Sequence, residues 1–556
     1  MDMSKNKMPR QLRWWRPIGS IVLLSLLLWG MRRASAGAKA QGDDVDLKDS
    51  EIDNSGVKEA GDRDAKLSEI DFNAVDEYIR AKMRSARIPG LSVAIVKGEQ
   101  IVYLKGYGRA DPSGRAVTPQ TPFMLGSITK PITALAVMQL VEAGKVDLDA
   151  PVQRYIPWFS VADPQASAQI TVRQLLNMTS GLPQLMETQT WTEQDAGALE
   201  RSVRFLKTVE LARPVGTFGY SNANYDTLGM IIQAVTGQSY EEYVRQQIFG
   251  PLEMHNSFAS QEEAIQHGMA VGHRWWFGIP VPFTMPHNRS ELPAGYLFSS
   301  AEDMAHFLVA QMNGGRYEDR AVLSPDGIAL MHADPAPNTY GLGWEFLSAN
   351  GRTLINHDGG VANFQASLFI DPEAKVGVFV AANAMSALDA FATPHGSTPL
   401  DGITTRGIAQ SVLSLVTGQP LPKQGIGNAR LTLLFNLVLL ALTGALGIAL
   451  ARVPRRYQRL AQHGIARPAE LLWRSGLVAL WHFVWPILLL YARLRVPLWK
   501  VISTFQPDLA SWLGIVAASV FLKGVAELTM TWRVWFNPPT ATNRQIGEQK
   551  HFAATR

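Results

Sequence analysis

The run Leu431–Leu450 constrains the fold of this chain more than any other segment, because it contains no charged side chain. A helix of about 20 apolar residues crosses the hydrocarbon layer of a membrane, and this run is long enough to do so. Two further apolar segments follow, Ser475–Tyr491 and Leu509–Met530. Residues 421–535 are therefore predicted to be an all-α membrane region of two or three helices that contacts lipid, followed by a cytoplasmic tail at 536–556.

Lys523 and Glu527 interrupt the third apolar segment and are four residues apart, so they lie on the same face of a helix. One interpretation is a charged site inside the membrane. The other, which we favour, is a shallow helix end whose long side chains reach the lipid–water interface.

Charge is unevenly distributed along the 556 residues. Residues 421–556 carry 16 basic and 4 acidic side chains, whereas residues 66–420 carry 25 basic and 34 acidic ones. The basic side chains after Leu450 cluster between apolar runs, which is typical of membrane proteins, and we expect no nucleic-acid partner. Because Lys and Arg concentrate in cytoplasmic loops, residues 66–420 are expected on the extracytoplasmic side of a cell membrane.

The N-terminus combines basic residues with an apolar run, Pro17–Met31, and small residues at 34–36. This pattern predicts that residues 1–36 are an export signal or an uncleaved N-terminal anchor. Residues 37–65 are rich in Asp, Gly, Lys and Ser and are predicted to be a flexible linker.

Residues 66–420 are predicted to form one globular domain. Apolar segments around turn-forming residues predict a β-hairpin near its start, at Leu91–Leu104, and another near its end, at Gln365–Ala381. Helical periodicity lies between them, for example at Ile132–Glu142 and Tyr225–Val235. Strands at both ends with helices between them favour an α+β fold with a mixed or antiparallel sheet.

Composition and motifs exclude several classes of function. The chain has no cysteine, which excludes a disulfide framework, a thiol nucleophile and cysteine metal sites. It contains neither G-x-S-x-G nor H-E-x-x-H, so neither an α/β-hydrolase nor a zinc peptidase is expected. We expect no metal and no other cofactor.

Ser127 and Lys130 lie three residues apart at the start of an apolar helical segment, so their side chains share one helix face. Burial in an apolar helix lowers the pKa of a lysine, and a neutral amine is a base for the proton of a serine. The S-x-x-K pattern also begins at Ser4 and Ser55. The context of Ser127, rather than the pattern alone, therefore indicates a nucleophile.

Two further patterns accompany this one. Tyr220 and Asn222 stand two residues apart before a helical segment. His357 opens a histidine-x-glycine pattern, with Gly359 and Gly360, in a strand-like segment. Glycines in a strand let backbone N–H groups approach a substrate closely. Taken singly, the tyrosine is more readily a core residue and the histidine a structural one.

In the order Ser-x-x-Lys, Tyr-x-Asn, His-x-Gly, these patterns resemble the serine β-lactamase/penicillin-binding-protein superfamily, specifically its class C β-lactamase, DD-carboxypeptidase and esterase-like branch. The resemblance extends from about Phe72 to Ala384 and includes the segment Tyr-Gly-Leu-Gly-Trp at 340–344. It implies a β-lactamase/transpeptidase-like fold, in which an antiparallel sheet is flanked by helices and joined to a helical subdomain.

The resemblance implies a catalytic role for three residues. Ser127 attacks a carbonyl carbon and becomes acylated, while Lys130 and Tyr220 share the work of general base and proton shuttle. The N–H groups of Ser127 and Gly360 are implied to form the oxyanion hole.

The resemblance also implies substrate-binding residues. Asn222 orients the lysine and the substrate amide, and His357 anchors a substrate carboxylate or tunes the catalytic tyrosine. Gly359 and Gly360 line the site. β-Lactamases of this branch usually carry lysine at the position of His357, so the departure favours D-alanyl peptides or small esters over β-lactams as substrates.

Three functions follow as hypotheses. The leading one is a membrane-anchored extracytoplasmic serine hydrolase that acts on a small molecule or a cell-wall peptide. The second is a sensor or binding module that is acylated without turnover. The third is a transporter-like or scaffold protein with an inactive hydrolase domain. No oligomeric state is predicted.

Overall fold

The structure is a computed structural model, and it describes residues 70–184, 194–333, 340–385, 405–422, 428–463, 465, 467–495, 499, 503 and 507–537. The predicted signal or anchor, the predicted linker and all but the first residues of the predicted tail lie outside the described residues.

Strands from both ends of the predicted globular domain, residues 66–420, build its sheets. They are β1 (Gly90–Lys97), β2 (Gln100–Gly108), β3 (Phe123–Met124), β4 (His273–Trp276), β5 (Ile279–Pro282), β6 (Phe298–Ser299), β7 (Arg316–Tyr317), β8 (Arg320–Ala321), β9 (Glu345–Ala349), β10 (Arg352–Val361), β11 (Phe364–Asp371), β12 (Val376–Ala382) and β13 (Ala384–Met385). The largest sheet has six strands in the order β2-β1-β12-β11-β10-β9, and all its pairs are antiparallel. A three-stranded sheet has the order β13-β4-β5.

The centre of the large sheet joins the beginning of the domain to its end. β1 pairs with β2 on one side and with β12 on the other, so that Val93 lies opposite Val380. β12 is buried along its whole length, which fits its central place and its run of apolar residues. Both predicted hairpins are confirmed, and the sheet is antiparallel as the α+β prediction allowed.

Helices cover both faces of the large sheet and form the subdomain beside it. They are α1 (Phe72–Ala86), α2 (Thr129–Glu142), α3 (Pro164–Gln169), α4 (Val172–Leu176), α5 (Ala198–Phe205), α6 (Asn222–Thr236), α7 (Tyr240–Val244), α8 (Gln261–Gln266), α9 (Leu292–Gly295), α10 (Ala301–Met312), α11 (Pro325–Met331) and α12 (Thr405–Thr417). Helices α1 and α12 pack on one face, and α10 packs on the other. The predicted helical segments lie within α2 and α6.

Two apolar cores hold these layers together. The larger core lies between the sheet and the helical subdomain, and it contains almost all of α2. The smaller core lies between the sheet and the helices α1 and α12. Alternate residues of β10 face the two cores, since Leu354 belongs to the smaller one and Ile355 to the larger one. This alternation turns His357 and Gly359 toward the helical subdomain.

The C-terminal part consists of α13 (Asn428–Ala451), α14 (Val453–His463), α15 (Pro468–Ala479), a π-helical turn (Leu480–Val484), α16 (Trp485–Arg495) and α17 (Pro507–Phe536). Three stretches are long and apolar enough to cross a membrane, namely Thr432–Gln462, Pro468–Leu494 and Pro507–Phe536. The prediction of two or three spans therefore resolves to three candidates, and they associate the chain with a membrane.

The arginines after Leu450 lie on a helix. Arg455, Arg456 and Arg459 belong to α14, within the first candidate span, where the charge pattern alone predicted a cytoplasmic loop. Arg, Gln and Leu are all good helix formers. The basic cluster therefore forms the C-terminal part of the first candidate span.

Lys523 lies near the middle of the 30-residue helix α17 and not at its end. Its Nζ lies 3.0 Å from Glu527 Oε1 and 2.6 Å from Nε2 of His482, which stands in the π-helical turn. Gly524 permits this close approach, because a Cβ there would lie 2.5 Å from the Cβ of His482. The favoured interpretation, a shallow helix end whose side chains reach the lipid–water interface, is wrong because the Lys523 side chain is buried between helices.

Candidate active site

A tight turn presents Ser127 at the edge of the larger core. The chain leaves β3, passes through a 3₁₀ turn at Gly126–Ile128 and enters α2. Gly126 has φ +56°, a left-handed conformation that glycine adopts without strain. Ser127 is partly exposed, whereas its neighbours on both sides are buried. The hydroxyl is therefore the group that this turn offers to a substrate.

Lys130 is fully buried and directs its amine at Ser127. Its Nζ donates to Ser127 Oγ at 2.9 Å, to Asn222 Oδ1 at 2.9 Å and to the carbonyl oxygen of Ala294 at 2.6 Å. Burial lowers the pKa of Lys130 to about 7, although nearby carboxylates oppose the shift. The amine is therefore partly neutral near neutral pH, as a general base requires.

Tyr220 closes the other side of the hydroxyl. Its ring centroid lies 4.9 Å from Nζ of Lys130, and its side chain hydrogen-bonds to Ser127. Burial raises the pKa of Tyr220 above its ordinary value, so the phenol keeps its proton. The pair thus combines a base of near-neutral pKa with a phenol that can donate and regain a proton.

Asn222 begins α6 and connects the lysine to an acidic side chain. Its Oδ1 accepts from Lys130, and its Nδ2 donates to Glu291 Oε2 at 3.2 Å. Its backbone N–H donates to Oε1 of Gln184 at 2.8 Å. The amide is therefore fixed in one orientation, with its oxygen toward the amine.

Three acidic side chains near Lys130 were not predicted from the sequence: Asp226, Glu291 and Glu345. Burial raises the pKa of Glu291 and of Glu345 to about 7. Burial also raises the pKa of Asp226, and neither of its carboxylate oxygens has a hydrogen-bond partner within the described part of the chain. These carboxyls oppose the loss of the ammonium charge and keep the pKa of Lys130 from falling further.

The glycines of β10 lie against the turn that carries Ser127. A Cβ at Gly359 would lie 1.9 Å from the carbonyl oxygen of Leu125 and 3.1 Å from the backbone nitrogen of Ser127. A Cβ at Gly126 would lie 2.5 Å from the backbone nitrogen of Gly360. Only glycine permits this approach, which brings the backbone nitrogen of Gly360 close to the turn that carries Ser127.

His357 belongs to the same strand and is fully buried. Its Nε2 lies 2.9 Å from the hydroxyl of Tyr340, and its Nδ1 lies 2.7 Å from the carbonyl oxygen of Asp358. The ring of Tyr340 packs edge-on against the ring of Tyr220, with centroids 6.1 Å apart. Of the two roles implied for His357, the geometry favours tuning the tyrosine, through Tyr340, over contact with a substrate carboxylate.

The sequence-predicted site residues thus come together around one hydroxyl. Within the described ranges, no group of three or more metal-binding side chains assembles. What the site offers is a serine, a partly neutral amine, a protonated phenol and two backbone N–H groups, which is the equipment for acyl transfer through a serine ester.

Comparison with known proteins agrees with this set of chemical groups. Residues 75–395 match the Beta-lactamase family. This chain belongs to that family. The match covers all the strands that the structure describes, and it ends before α12 and the three candidate membrane helices.

Two curated relatives carry the comparison further. Protein flp of Staphylococcus aureus (strain N315) is 31% identical over 322 residues, which are 57% of this chain and 64% of that protein. The chain thus spans less than two thirds of that relative. Penicillin-binding protein 4 of Amycolatopsis lactamdurans is 31% identical over 286 residues, which are 49% of this chain and 74% of that protein.

Solved structures share the fold. The octameric penicillin-binding protein homologue from Pyrococcus abyssi is 29% identical, with a TM-score of 0.54 over 64% of this chain and 79% of the other. EstCE1, described as a hydrolase with promiscuous acyltransferase activity, is 22% identical with a TM-score of 0.52, covering 64% of this chain and 100% of the other, and shows the fold alone. The protein is thus a member of the β-lactamase/penicillin-binding-protein superfamily.

Proposed function

We propose that this protein is a membrane-anchored serine hydrolase that acts through an acyl-enzyme on Ser127. The observation that carries the proposal is the hydrogen bond from buried Lys130 to Ser127 Oγ, at 2.9 Å. An amine with its pKa near 7, held at hydrogen-bond distance from a partly exposed hydroxyl, is poised to activate it.

Acylation begins with the neutral amine. Lys130 takes the proton of Ser127 while Oγ bonds to the substrate carbonyl carbon and the carbonyl electron pair moves to its oxygen. The N–H groups of Ser127 and Gly360 stabilise that oxyanion, and one such donor contributes on the order of 3 kcal/mol. Collapse of the intermediate re-forms the carbonyl and breaks the bond to the leaving group.

Tyr220 supplies the leaving group with its proton. The phenol donates to the departing nitrogen or oxygen and regains a proton from the Lys130 ammonium, which restores both groups. Water then attacks the ester carbon, the same groups accept its proton, and Ser127 Oγ leaves with a proton. The raised pKa of Tyr220 supports this order, because the phenol is protonated when the leaving group needs it.

D-alanyl peptides and small esters are the substrate classes that the sequence favours, and the geometry of the site supports the esters more strongly. A β-lactam or a peptide presents a carboxylate, and His357 is held by Tyr340 and by a backbone carbonyl in a fully buried position. An ester without a carboxylate needs no side chain to anchor one. The charge distribution of the sequence supports an extracytoplasmic position for the site.

The experiment is intact mass spectrometry of the full chain after incubation with a fluorophosphonate, a penicillin and a D-Ala-D-Ala peptide, with Ser127→Ala as control. We expect one adduct on the wild-type protein, none on the variant, and turnover of at least one ester or peptide. An unlabelled wild-type protein that hydrolyses no more than the variant would end the proposal. An adduct that persists without product release would support the penicillin-binding sensor instead.

A further inference from the structure

The β4–β5 hairpin places an apolar surface where the membrane spans begin. Its tip reads Trp275-Trp276-Phe277-Gly278-Ile279. Phe277 and Ile279 are 37% and 42% exposed, which is unusual for large apolar side chains of the hydrolase domain. Trp276 pairs with Ile279 across the hairpin, so both project from one face.

Contacts with two spans fix the level of this tip. The Phe277 N–H donates to Oδ2 of Asp508 at 3.0 Å, and Asn436 Nδ2 donates to the carbonyl oxygen of Phe277 at 3.2 Å. Asp508 is the second residue of its candidate span, and Asn436 lies one turn inside the other, about 6 Å along the helix. The hairpin tip therefore lies level with the ends of the spans.

The neighbouring surface of α13 faces the same medium. Leu433 and Leu437, on either side of Asn436, are 59% and 51% exposed and are lipid-facing by composition. A bilayer that covers these leucines also reaches Phe277, because Asn436, which lies between them in sequence, donates a hydrogen bond to Phe277. The apolar surface of the hairpin is thus continuous with the membrane-facing surface of the spans.

Basic side chains border the hairpin at the end of α1. Arg84 and Arg87 are exposed, and Arg87 Nη1 donates to the carbonyl oxygen of Gly278 at 2.9 Å. Arg274 lies on β4, with its guanidinium 3.8 Å from the ring centroid of Phe283. Asp508, the acid that contacts the hairpin tip, accepts hydrogen bonds from the backbone N–H groups of Phe277 and Leu509. Apolar side chains rimmed by arginines match the layering of acyl chains and anionic headgroups.

The hairpin edge disfavours a peptide partner. β5 is an edge strand of the three-stranded sheet, and both Pro280 and Pro282 lack the N–H group that an added strand would need.

The root of the hairpin adjoins the active site. Met385 of β13 pairs with Arg274, and its Cε and Sδ lie 3.1 Å and 3.3 Å from the position of a Cβ on Gly360. From Arg274 to Phe277 the strand rises about 10 Å. The oxyanion glycine and the membrane surface are therefore separated by roughly one short strand.

We propose that the hairpin surface, defined as Arg84, Arg87, Arg274, Trp276, Phe277 and Ile279, binds anionic lipid headgroups and seats the hydrolase domain in the lipid–water interface. Ser127 then acts on acyl compounds carried by membrane-borne amphiphiles. The second statement rests on the proposed function, whereas the first does not.

Depth measurement tests the first statement without catalysis. Because the chain has no cysteine, Ile279→Cys introduces a single labelling site. The full-length variant is labelled with an environment-sensitive fluorophore in nanodiscs that contain phosphatidylglycerol and nitroxide lipids. The control is Leu330→Cys on α11, where the native side chain is 40% exposed.

We expect nitroxide lipids to quench the label at 279 several-fold more than the label at 330. Equal weak quenching at both positions, or quenching at 279 by aqueous iodide alone, overturns the lipid surface, and shielding from both quenchers would assign it to a protein partner instead.

Substrate preference tests the second statement. Wild type and Arg87→Gln are compared on a lipid-anchored ester and on the same ester in soluble form. One arginine near an anionic surface contributes about fivefold, so the ratio of kcat/KM values, anchored over soluble, should fall by about that factor in phosphatidylglycerol and stay constant in phosphatidylcholine. A constant ratio in both lipids overturns the statement. If wild type hydrolyses neither ester, the proposed function fails while the depth result stands.

Discussion

Replacement of Gly359 by alanine is the sharpest test of the oxyanion geometry. The added Cβ would lie 1.9 Å from the carbonyl oxygen of Leu125, whereas Cβ atoms essentially never approach closer than 3.0 Å. The strand and the Ser127 turn must therefore separate by about 1 Å. A misplacement of that size costs about 10²-fold in rate, or about 2.7 kcal/mol of transition-state stabilisation.

The assay is steady-state hydrolysis of a soluble ester, with kcat and KM measured separately. We expect Gly359→Ala to lower kcat about 10²-fold with little change in KM, because the donors act on the transition state. The matched control is Gly250→Ala, where the backbone is helical and the new Cβ meets only backbone carbonyl oxygens at 3.4 Å and 3.6 Å, which is ordinary van der Waals contact. Circular dichroism and thermal melting check that both variants fold. Equal activities of two folded variants would refute the reasoning.

Three further predictions concern the pKa of Lys130, the hydroxyl of Tyr340 and the packing of Gly524. The kcat/KM for a non-ionisable ester should fall about tenfold per pH unit below about pH 7 and level off above it, because Lys130 accepts a proton only when neutral. Glu291→Gln removes a carboxylate that raises the pKa of Lys130, so the inflection of this profile should move to lower pH. An inflection that stays in place or moves to higher pH would contradict this. Tyr340→Phe removes the 2.9 Å hydrogen bond to His357 Nε2 and the hydrogen bond to Tyr225, so it should lower the free energy of unfolding by about 1–3 kcal/mol in a denaturant titration, and an unchanged midpoint would contradict this. Gly524→Leu should lower the melting temperature of the full chain in detergent, because it separates α17 from His482. The control is Gly514→Leu on the same helix, where a Cβ meets nothing within 4 Å and the melting temperature should not fall. Similar melting temperatures of the two variants would contradict the close packing at Gly524.

Local sequence patterns predicted the elements that depend on local physics. Periodicity identified α2 and α6, and turn residues identified both hairpins. The pairing of Ser127 with Lys130 was also predictable, since three residues along a helix is one turn.

The acidic surroundings of Lys130 were not predictable in this way. Glu291 directly precedes α9 and Glu345 begins β9, and both lie more than one hundred residues after Lys130 in sequence. Their function depends on burial, which is decided only when the helical subdomain closes on the sheet. The one local signal was Asp226, an acid placed in an apolar helix four residues after Asn222.

The interpretation of Lys523 and Glu527 was wrong because the position of these side chains, too, depends on contacts between distant parts of the sequence. Lys523 looks like a helix-end lysine when its own helix is read alone, because its partner His482 stands on a different span. Tertiary contact, rather than sequence spacing, decides whether such a side chain points outward or inward.

The pairing of β1 with β12 has a consequence for synthesis of the protein. Val93 meets Val380 in the middle of the sheet, so the central ladder cannot close until nearly the whole hydrolase domain has left the ribosome. Chains cut short before Val376 would lack the strand that joins both halves of the sheet and should be cleared by proteases. The three candidate spans follow that strand in the sequence, so they are synthesised only after the last strand of the central ladder.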